Sequence, residues 1–265
     1  MKFQRFLSLL IIKINPEIVR IGPFSIKWYG LAYVSGLAVG VLIIKNRLKT
    51  RLGFSSDEIV SGLIYHTVGI ILGGRIGYIL FYNLPYYLSN PVSMPAVWKG
   101  GMSFHGALLG SGIALWLFSR KYVKSLPGIL DLTALASTIG LFLGRIANFI
   151  NGELYGRVTS VWWAVIFPNG GMVTRHPSQL YEAFFEGVVL FVILYGLDKY
   201  ARLKEGQLLA VFLVGYGVFR FFIEYFREPD PQVGYVMLGL TLGQLLCIML
   251  VLLGVGIFSY LVKKR

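Results

Sequence analysis

Residues 144–157 read Gly-Arg-Ile-Ala-Asn-Phe-Ile-Asn-Gly-Glu-Leu-Tyr-Gly-Arg. The run begins at the end of a long apolar stretch, so Arg145, Asn148, Asn151, Glu153 and Arg157 fall at or near the rim of a membrane. Burying a guanidinium at that depth costs at least about 2.5–3.5 kcal/mol on insertion scales. A chain that carries this cost is expected to bind an anion there. Arg75 and Arg220 also lie inside apolar stretches and map to the same outer half of the bilayer. The planar fork of arginine matches phosphate oxygens two at a time, and phospholipid headgroups are the phosphates at that level. Glu182, Glu186 and Glu224 occupy similar depth, Glu224 being spaced i, i+4 from Arg220. They leave a second reading open, an internal salt-bridge network holding helices together.

The other polar residues are less specific. His105 stands in Ser103-Phe104-His105-Gly106, at the outer start of an apolar stretch. An ordinary histidine pKa near 6.5 suits a general base around neutral pH, whereas a lone membrane histidine also serves as a helix-to-helix hydrogen bond. His66 is mid-span and reads as structural. His176-Pro177-Ser178 resembles a helix start and reads as a positioning element. The interfacial aromatic belt accounts for Trp28 and Tyr29. Small residues recur at a spacing of four (Gly36/Gly40, Gly73/Gly77, Gly106/Gly110, Gly140/Gly144), which lets helix backbones approach closely in lipid. The one cysteine, Cys247, lies in an apolar run and excludes an intrachain disulfide. With three histidines besides, a structural zinc site lacks its usual ligands. No metal is expected, and the Gly-x-Ser-x-Gly elbow of a serine hydrolase is absent.

These residues must be positioned by membrane-spanning elements. The chain is 56% hydrophobic and 14% charged, with a mean hydropathy of +0.69, against about 25% charged in a soluble domain. Apolar stretches long enough to cross about 30 Å at 1.5 Å per residue run over roughly 28–44, 59–82, 101–118, 126–150, 178–197, 207–226 and 236–262. The expected fold is an all-α polytopic membrane protein of seven transmembrane helices, forming one domain over 1–265. The formal charge of +13 sits mostly in short loops (Lys45 to Arg51, Arg120 to Lys124, Lys199 to Lys204, Lys263 to Arg265). That is a topology signal rather than a sign of nucleic acid. The positive-inside rule then puts the C-terminus in the cytoplasm and the N-terminus outside. Residues 3–14 read as an amphipathic surface helix, with a false-start span as the alternative, and 1–27 comprise this helix and the lead-in to the first span. Residues 151–177 form the longest outer loop. Val161 to Phe167, followed by Pro168-Asn169-Gly170-Gly171, reads as a β-hairpin in a small extracytoplasmic head.

With these pieces assembled, the chain resembles the prolipoprotein diacylglyceryl transferase family. The resemblance is carried by Lys27 to Gly30, Gly73 to Tyr78, Ser103 to Gly106, the run Gly144 to Arg157, Arg175 to Glu182, and Arg220 to Asp230. It spans almost the whole chain, and the fourteen-residue run is specific. Ala107 stands where the family often has a second glycine.

The resemblance implies seven spans and an outer head in a bacterial cytoplasmic membrane. It also implies transfer of the diacylglyceryl group of phosphatidylglycerol to the lipobox cysteine thiol of a prolipoprotein signal peptide. Glycerol 1-phosphate leaves and no cofactor is needed. Arg145 and Arg220 are then the expected phosphate grip, with Arg75 beside them. Tyr29 is expected to donate to a phosphate oxygen. Asn148, Asn151 and Glu153 would bind glycerol hydroxyls or orient arginines, and Gly156 would fix the turn after the span. Glu182, Glu224 and Arg227 are supporting. His105 is either the base for the thiol or a lipid ligand, the arginine field alone activating the thiol in the second case. The rival function is a transporter or channel for an anionic solute, although the sequence has no inverted repeat of the usual transporter kind.

Overall fold

The structure, a computed structural model, describes residues 17–21, 24–229, 235–237 and 239–264. The surface helix expected over 3–14 lies outside the described residues. Past it, the described residues of the lead-in form a strand pair, β1 (Glu17–Ile21) antiparallel to β2 (Phe24–Lys27).

Helices follow in chain order: α1 (Trp28–Leu52), α2 (Ser56–Tyr82), the short α3 (Leu84–Ser89), α4 (Phe104–Tyr122) and α5 (Leu126–Asn151). After the 151–177 segment come α6 (Ser178–Tyr200), α7 (Gln207–Ile223) and α8 (Leu242–Lys263). Five of them, α1, α2, α5, α6 and α8, are long and apolar enough to cross a membrane, by length and composition. The apolar α7 is shorter, at 17 residues. Three apolar stretches are only partly helical, one because α4 begins at Phe104 rather than at 101. The stretch expected to begin at 236 opens with the strand pair β5 (Tyr235–Met237) and β6 (Leu240–Thr241), and α7 stops at Ile223.

Helix ends follow local rules. Ser55 Oγ accepts from the Glu58 amide at 3.1 Å while Glu58 Oε2 accepts from the Ser55 amide at 2.7 Å, a capping box that starts α2. Thr241 and Gln244 do the same for α8. At α7, whose residues at this end are apolar or amide, the cap comes from another helix. Asp131 on α5 accepts from the Gly206 and Leu209 amides, each at 2.7 Å, which satisfies otherwise orphaned helix donors.

The chain divides into two compact units, one formed by Met1–Ile44 with Asp131–Arg265 and the other by Lys45–Leu130. In the second, α2 and α4 cross at a glycine seam. A Cβ added at Gly73 would stand 2.3 Å from the Gly106 carbonyl oxygen, and one at Gly110 would stand 2.1 Å from that of Gly69. The spacing-of-four pairs Gly73/Gly77 and Gly106/Gly110 therefore bring backbone against backbone. In the first unit, Gly36 and Gly40 on α1 face Gly140 and Ala136 on α5.

The helix α6 is regular over Ser178–Glu182 and Leu190–Tyr200, but Ala183–Val189 between them forms wider π turns. Gly187 in that section lies against Phe142 of α5, where an added Cβ would be 2.7 Å from the phenylalanine Cβ. Such widened turns occur often at functional sites.

Candidate functional site

Three arginines and three glutamates of the larger unit converge. Glu182 and Glu186, on α6, are 0% exposed. Arg145, near the end of α5, sets its Nε 2.8 Å from Glu182 Oε2 and its Nη2 3.5 Å from Glu186 Oε2. Arg220 on α7 donates through Nη1 to Glu182 Oε1. Its Nη2 lies 2.6 Å from Glu224 Oε2, the i, i+4 pair visible in the sequence. Arg227, past the end of α7, reaches Glu182 Oε1 with Nη1 at 3.3 Å. Glu182 therefore binds guanidiniums from three segments. Thr241 Oγ1 donates to Glu224 at 3.1 Å, which ties in the start of α8. Burial, then the charge of Arg220, lowers the pKa of Arg227.

A second polar group sits at the α5 terminus in the same unit. Beyond Asn151 the chain reverses through Gly152 (φ 66°) and Leu154 (φ 57°), the latter in a left-handed conformation costly for a branched side chain. Ser178 Oγ donates to the Leu154 carbonyl at 3.2 Å, and Gln179 Nε2 donates to the Glu153 carbonyl at 2.7 Å, holding the reversal. It folds Glu153 back over the helix end. Asn148 Nδ2 donates to Glu153 Oε1 at 2.8 Å and reaches the Tyr29 hydroxyl at 3.3 Å, while Asn151 Nδ2 lies 3.3 Å from the same carboxylate oxygen. Tyr33 packs against Tyr29 with its ring tilted and 5.1 Å between centroids, and Gln179, bonded to the Glu153 carbonyl, stands three residues before Glu182 on α6. The two polar groups are thus neighbours.

The 151–177 segment is built around Gly156. Its amide donates to the His176 carbonyl and the Arg157 amide donates to the Phe226 carbonyl, both at 2.9 Å. An added Cβ would meet the Phe226 and His176 carbonyl oxygens at 2.5 and 2.6 Å, so the position excludes a side chain. The expected antiparallel pair is present but short, β3 (Val165–Ile166) with β4 (Thr174–Arg175), Val165 opposite Arg175. Arg175 clamps the segment. Its Nη1 donates to the Gly156 carbonyl at 3.1 Å and to Glu228 Oε2 at 3.0 Å, and its guanidinium lies 4.7 Å from the Tyr155 ring centroid. His176 Nδ1 is 3.1 Å from the Tyr181 hydroxyl, and burial lowers the histidine pKa.

Arg75 and His105 belong to the other unit. Arg75 is 5% exposed. Its Nε donates to the Met94 carbonyl at 2.7 Å, Nη2 to that of Ser93 at 2.8 Å, and Nη1 to those of Gly100 and Gly101 at 2.6 and 3.2 Å. The Tyr87 ring lies 5.1 Å away. Carbonyls of the α3–α4 connection thus engage all three guanidinium nitrogens. His105 is exposed on the first turn of α4, whose amide at Gly106 is capped by Ser103 Oγ at 3.2 Å. His66 Nδ1 is 3.0 Å from Ser111 Oγ, a contact between α2 and α4.

Among the described residues, no group of three or more His, Cys, Asp or Glu is placed to hold a metal ion. Sequence reasoning passed over Gln179 as a site residue, although an amide just inside an apolar stretch is the signal that marks it. It also left Glu186 outside the set of site residues.

Comparison with known proteins identifies the family. The family model described as prolipoprotein diacylglyceryl transferase matches residues 16–260. A phosphatidylglycerol–prolipoprotein diacylglyceryl transferase of Rickettsia canadensis is 49% identical over 244 residues, covering 91% of this chain and 94% of the relative. The protein of the same name from Rhodospirillum rubrum is 47% identical over 251 residues (92% and 91%). That from Geobacter sulfurreducens is 47% identical over 253 residues (95% and 96%). With its signature runs matched across nearly its whole length, this chain belongs to the prolipoprotein diacylglyceryl transferase family.

Proposed function

We propose that the protein transfers the diacylglyceryl group of phosphatidylglycerol to the lipobox cysteine of a prolipoprotein. The thiol sulfur attacks the glyceryl carbon that carries the phosphate. The C–O bond breaks, its electron pair stays on the phosphate oxygen, and glycerol 1-phosphate departs with a thioether left behind. The observation that carries the site assignment is the buried convergence of Arg145 and Arg220 on Glu182. Two guanidiniums are held at fixed positions in a water-poor bundle, where preorganised donors stabilise growing negative charge more than water does. Arg145 and Arg220 therefore grip the phosphate, with Glu182, Glu224 and Arg227 keeping their forks in place. Tyr29, Asn148, Asn151 and Glu153 form the adjoining wall for the glycerol hydroxyls. We assign the thiol proton to His105, on its exposed place in the Ser103 to Gly106 motif. Arg75, engaged with four carbonyls, organises the α3–α4 connection rather than touching lipid.

The same reading makes the chain one membrane-embedded domain over 1–265 with seven spans, α4 and α7 included. It places 151–177 as an extracytoplasmic head, the N-terminus outside and the C-terminus in the cytoplasm, in the bacterial inner membrane. Family membership favours transfer over the anion-transport alternative. The deciding experiment is a detergent assay with purified protein, phosphatidylglycerol and a lipobox peptide. Thioether-linked peptide plus glycerol 1-phosphate is the expected product. Its absence, with active uptake of an anion by vesicles containing the protein, refutes the reading. His105→Asn is expected to abolish product while the protein still inserts, and full turnover would remove His105 from the reaction.

A further inference from the structure

The mechanism above leaves Glu186 without a task, yet its setting is unusual. Its side chain is fully buried on the widened section of α6. One oxygen reaches Arg145 Nη2 at 3.5 Å, a long contact, and the other, Oε1, is buried with no hydrogen-bond partner. The groups that face it are Arg145 on α5, Glu182 on α6, Arg220 and Tyr216 on α7 and Cys247 on α8.

The charges of this network balance when it is empty. Arg145, Arg220 and Arg227 oppose Glu182, Glu186 and Glu224. A phosphodiester brings one further negative charge, and an excess charge in a water-poor site is removed by protonation. The three carboxylates are not equally held. Glu182 is fixed by three guanidiniums, and Glu224 by Arg220 at 2.6 Å and the Thr241 hydroxyl at 3.1 Å. Glu186 has one long contact and a bare oxygen.

We propose that Glu186 is a positioning residue that stands in for the lipid phosphate: it holds Arg145 Nη2 in the empty site and is displaced, taking up one proton, when the phosphodiester docks. The proposal rests on the reading of Arg145 and Arg220 as the phosphate grip. Protonated Glu186 keeps the loaded network neutral and leaves Arg145 free to turn its fork to the phosphate. When glycerol 1-phosphate leaves, the proton is released and Glu186 resumes its contact, which favours product departure.

The test is calorimetric titration of the purified full-length protein with phosphatidylglycerol, in detergent, in two buffers of different ionisation enthalpy. Wild type is expected to take up close to one proton per lipid, and its KM for the lipid to rise with pH. Glu186→Gln should take up none, and its KM should become flat with pH. Uptake that is unchanged in Glu186→Gln, or absent in wild type, overturns the proposal. A readout independent of any variant is the infrared difference spectrum of wild type on lipid addition. A new protonated-carboxyl band that shifts in heavy water supports the proposal, and its absence refutes it. Arg145→Gln separates the two levels of the argument. If it binds lipid as wild type does, the phosphate-grip reading fails. If binding is lost, that reading stands and the Glu186 results alone decide.

Discussion

Replacing Glu182 by glutamine keeps its volume and removes the one charge on which three guanidiniums depend. In the native site Arg145 Nε lies 2.8 Å from Oε2, while Arg220 and Arg227 share Oε1. Glutamine offers one acceptor and turns an NH2 toward at least one cation. Breaking a buried ion pair by removing one partner costs about 3–5 kcal/mol. The arginine side chains keep 17%, 12% and 20% of their exposure, so the lower end of that range, about 3 kcal/mol, applies. Such a loss shifts the folding equilibrium by roughly two powers of ten.

The assay is reversible unfolding in mixed micelles, with and without phosphatidylglycerol. A bound phosphodiester restores the missing negative charge, so the lipid should protect Glu182→Gln more than it protects wild type. Diacylglycerol, which has no phosphate, should protect neither. A stability loss below about 1 kcal/mol, the range of an exposed pair, would refute the claim that this carboxylate anchors the network. Equal protection of variant and wild type by phosphatidylglycerol would refute the claim that phosphate binds there.

Other expectations follow from the same geometry. Arg145→Lys keeps the charge but loses the fork, and it should lose most turnover while unfolding at nearly the wild-type temperature. Turnover within twofold of wild type counts against a bidentate grip. Gly110→Ala forces a methyl group to 2.1 Å from the Gly69 carbonyl oxygen, and should destabilise by about 1–3 kcal/mol as overpacked sites do, read from the unfolding midpoint. The lowered pKa of His176 means that the unfolded chain binds the proton more tightly than the folded one. Its contribution to stability is therefore complete above the ordinary value of 6.5 and declines as pH falls below it. His176→Gln should flatten that slope in a series of thermal melts across the acidic range.

The helices were legible because long apolar runs leave few alternatives, and their errors have physical causes. The α1 stretch ends at residue 44 if charge is taken as a boundary. Lys45, Arg47, Leu48, Lys49 and Arg51 are good helix formers that carry the helix on to Leu52. Strand pairs such as β1–β2 and β5–β6 were not legible, since each is too short to show alternation. The charge network was readable in part. Arg220 and Glu224 declare themselves by spacing, and Glu182 and Glu186 by depth. Which arginine meets which glutamate depends on helix rotation, and no single-helix pattern carries that. Arg75 makes the point from the other side. Its position in an apolar stretch is the same kind of signal as that of Arg145, yet carbonyls of a loop take up its fork.

The widened turns at Ala183–Val189 set the phase of everything that precedes them on α6. Closing them to an ordinary pitch with every residue kept would rotate one flank against the other by about 100°, one residue's worth of α-helix. Glu182, Gln179 and Tyr181 would swing away together from Arg145, Glu153 and His176, their present partners. Closing the turns at fixed length should thus separate insertion from chemistry, giving a polypeptide that enters the bilayer and keeps its helices while its polar centre is dismantled.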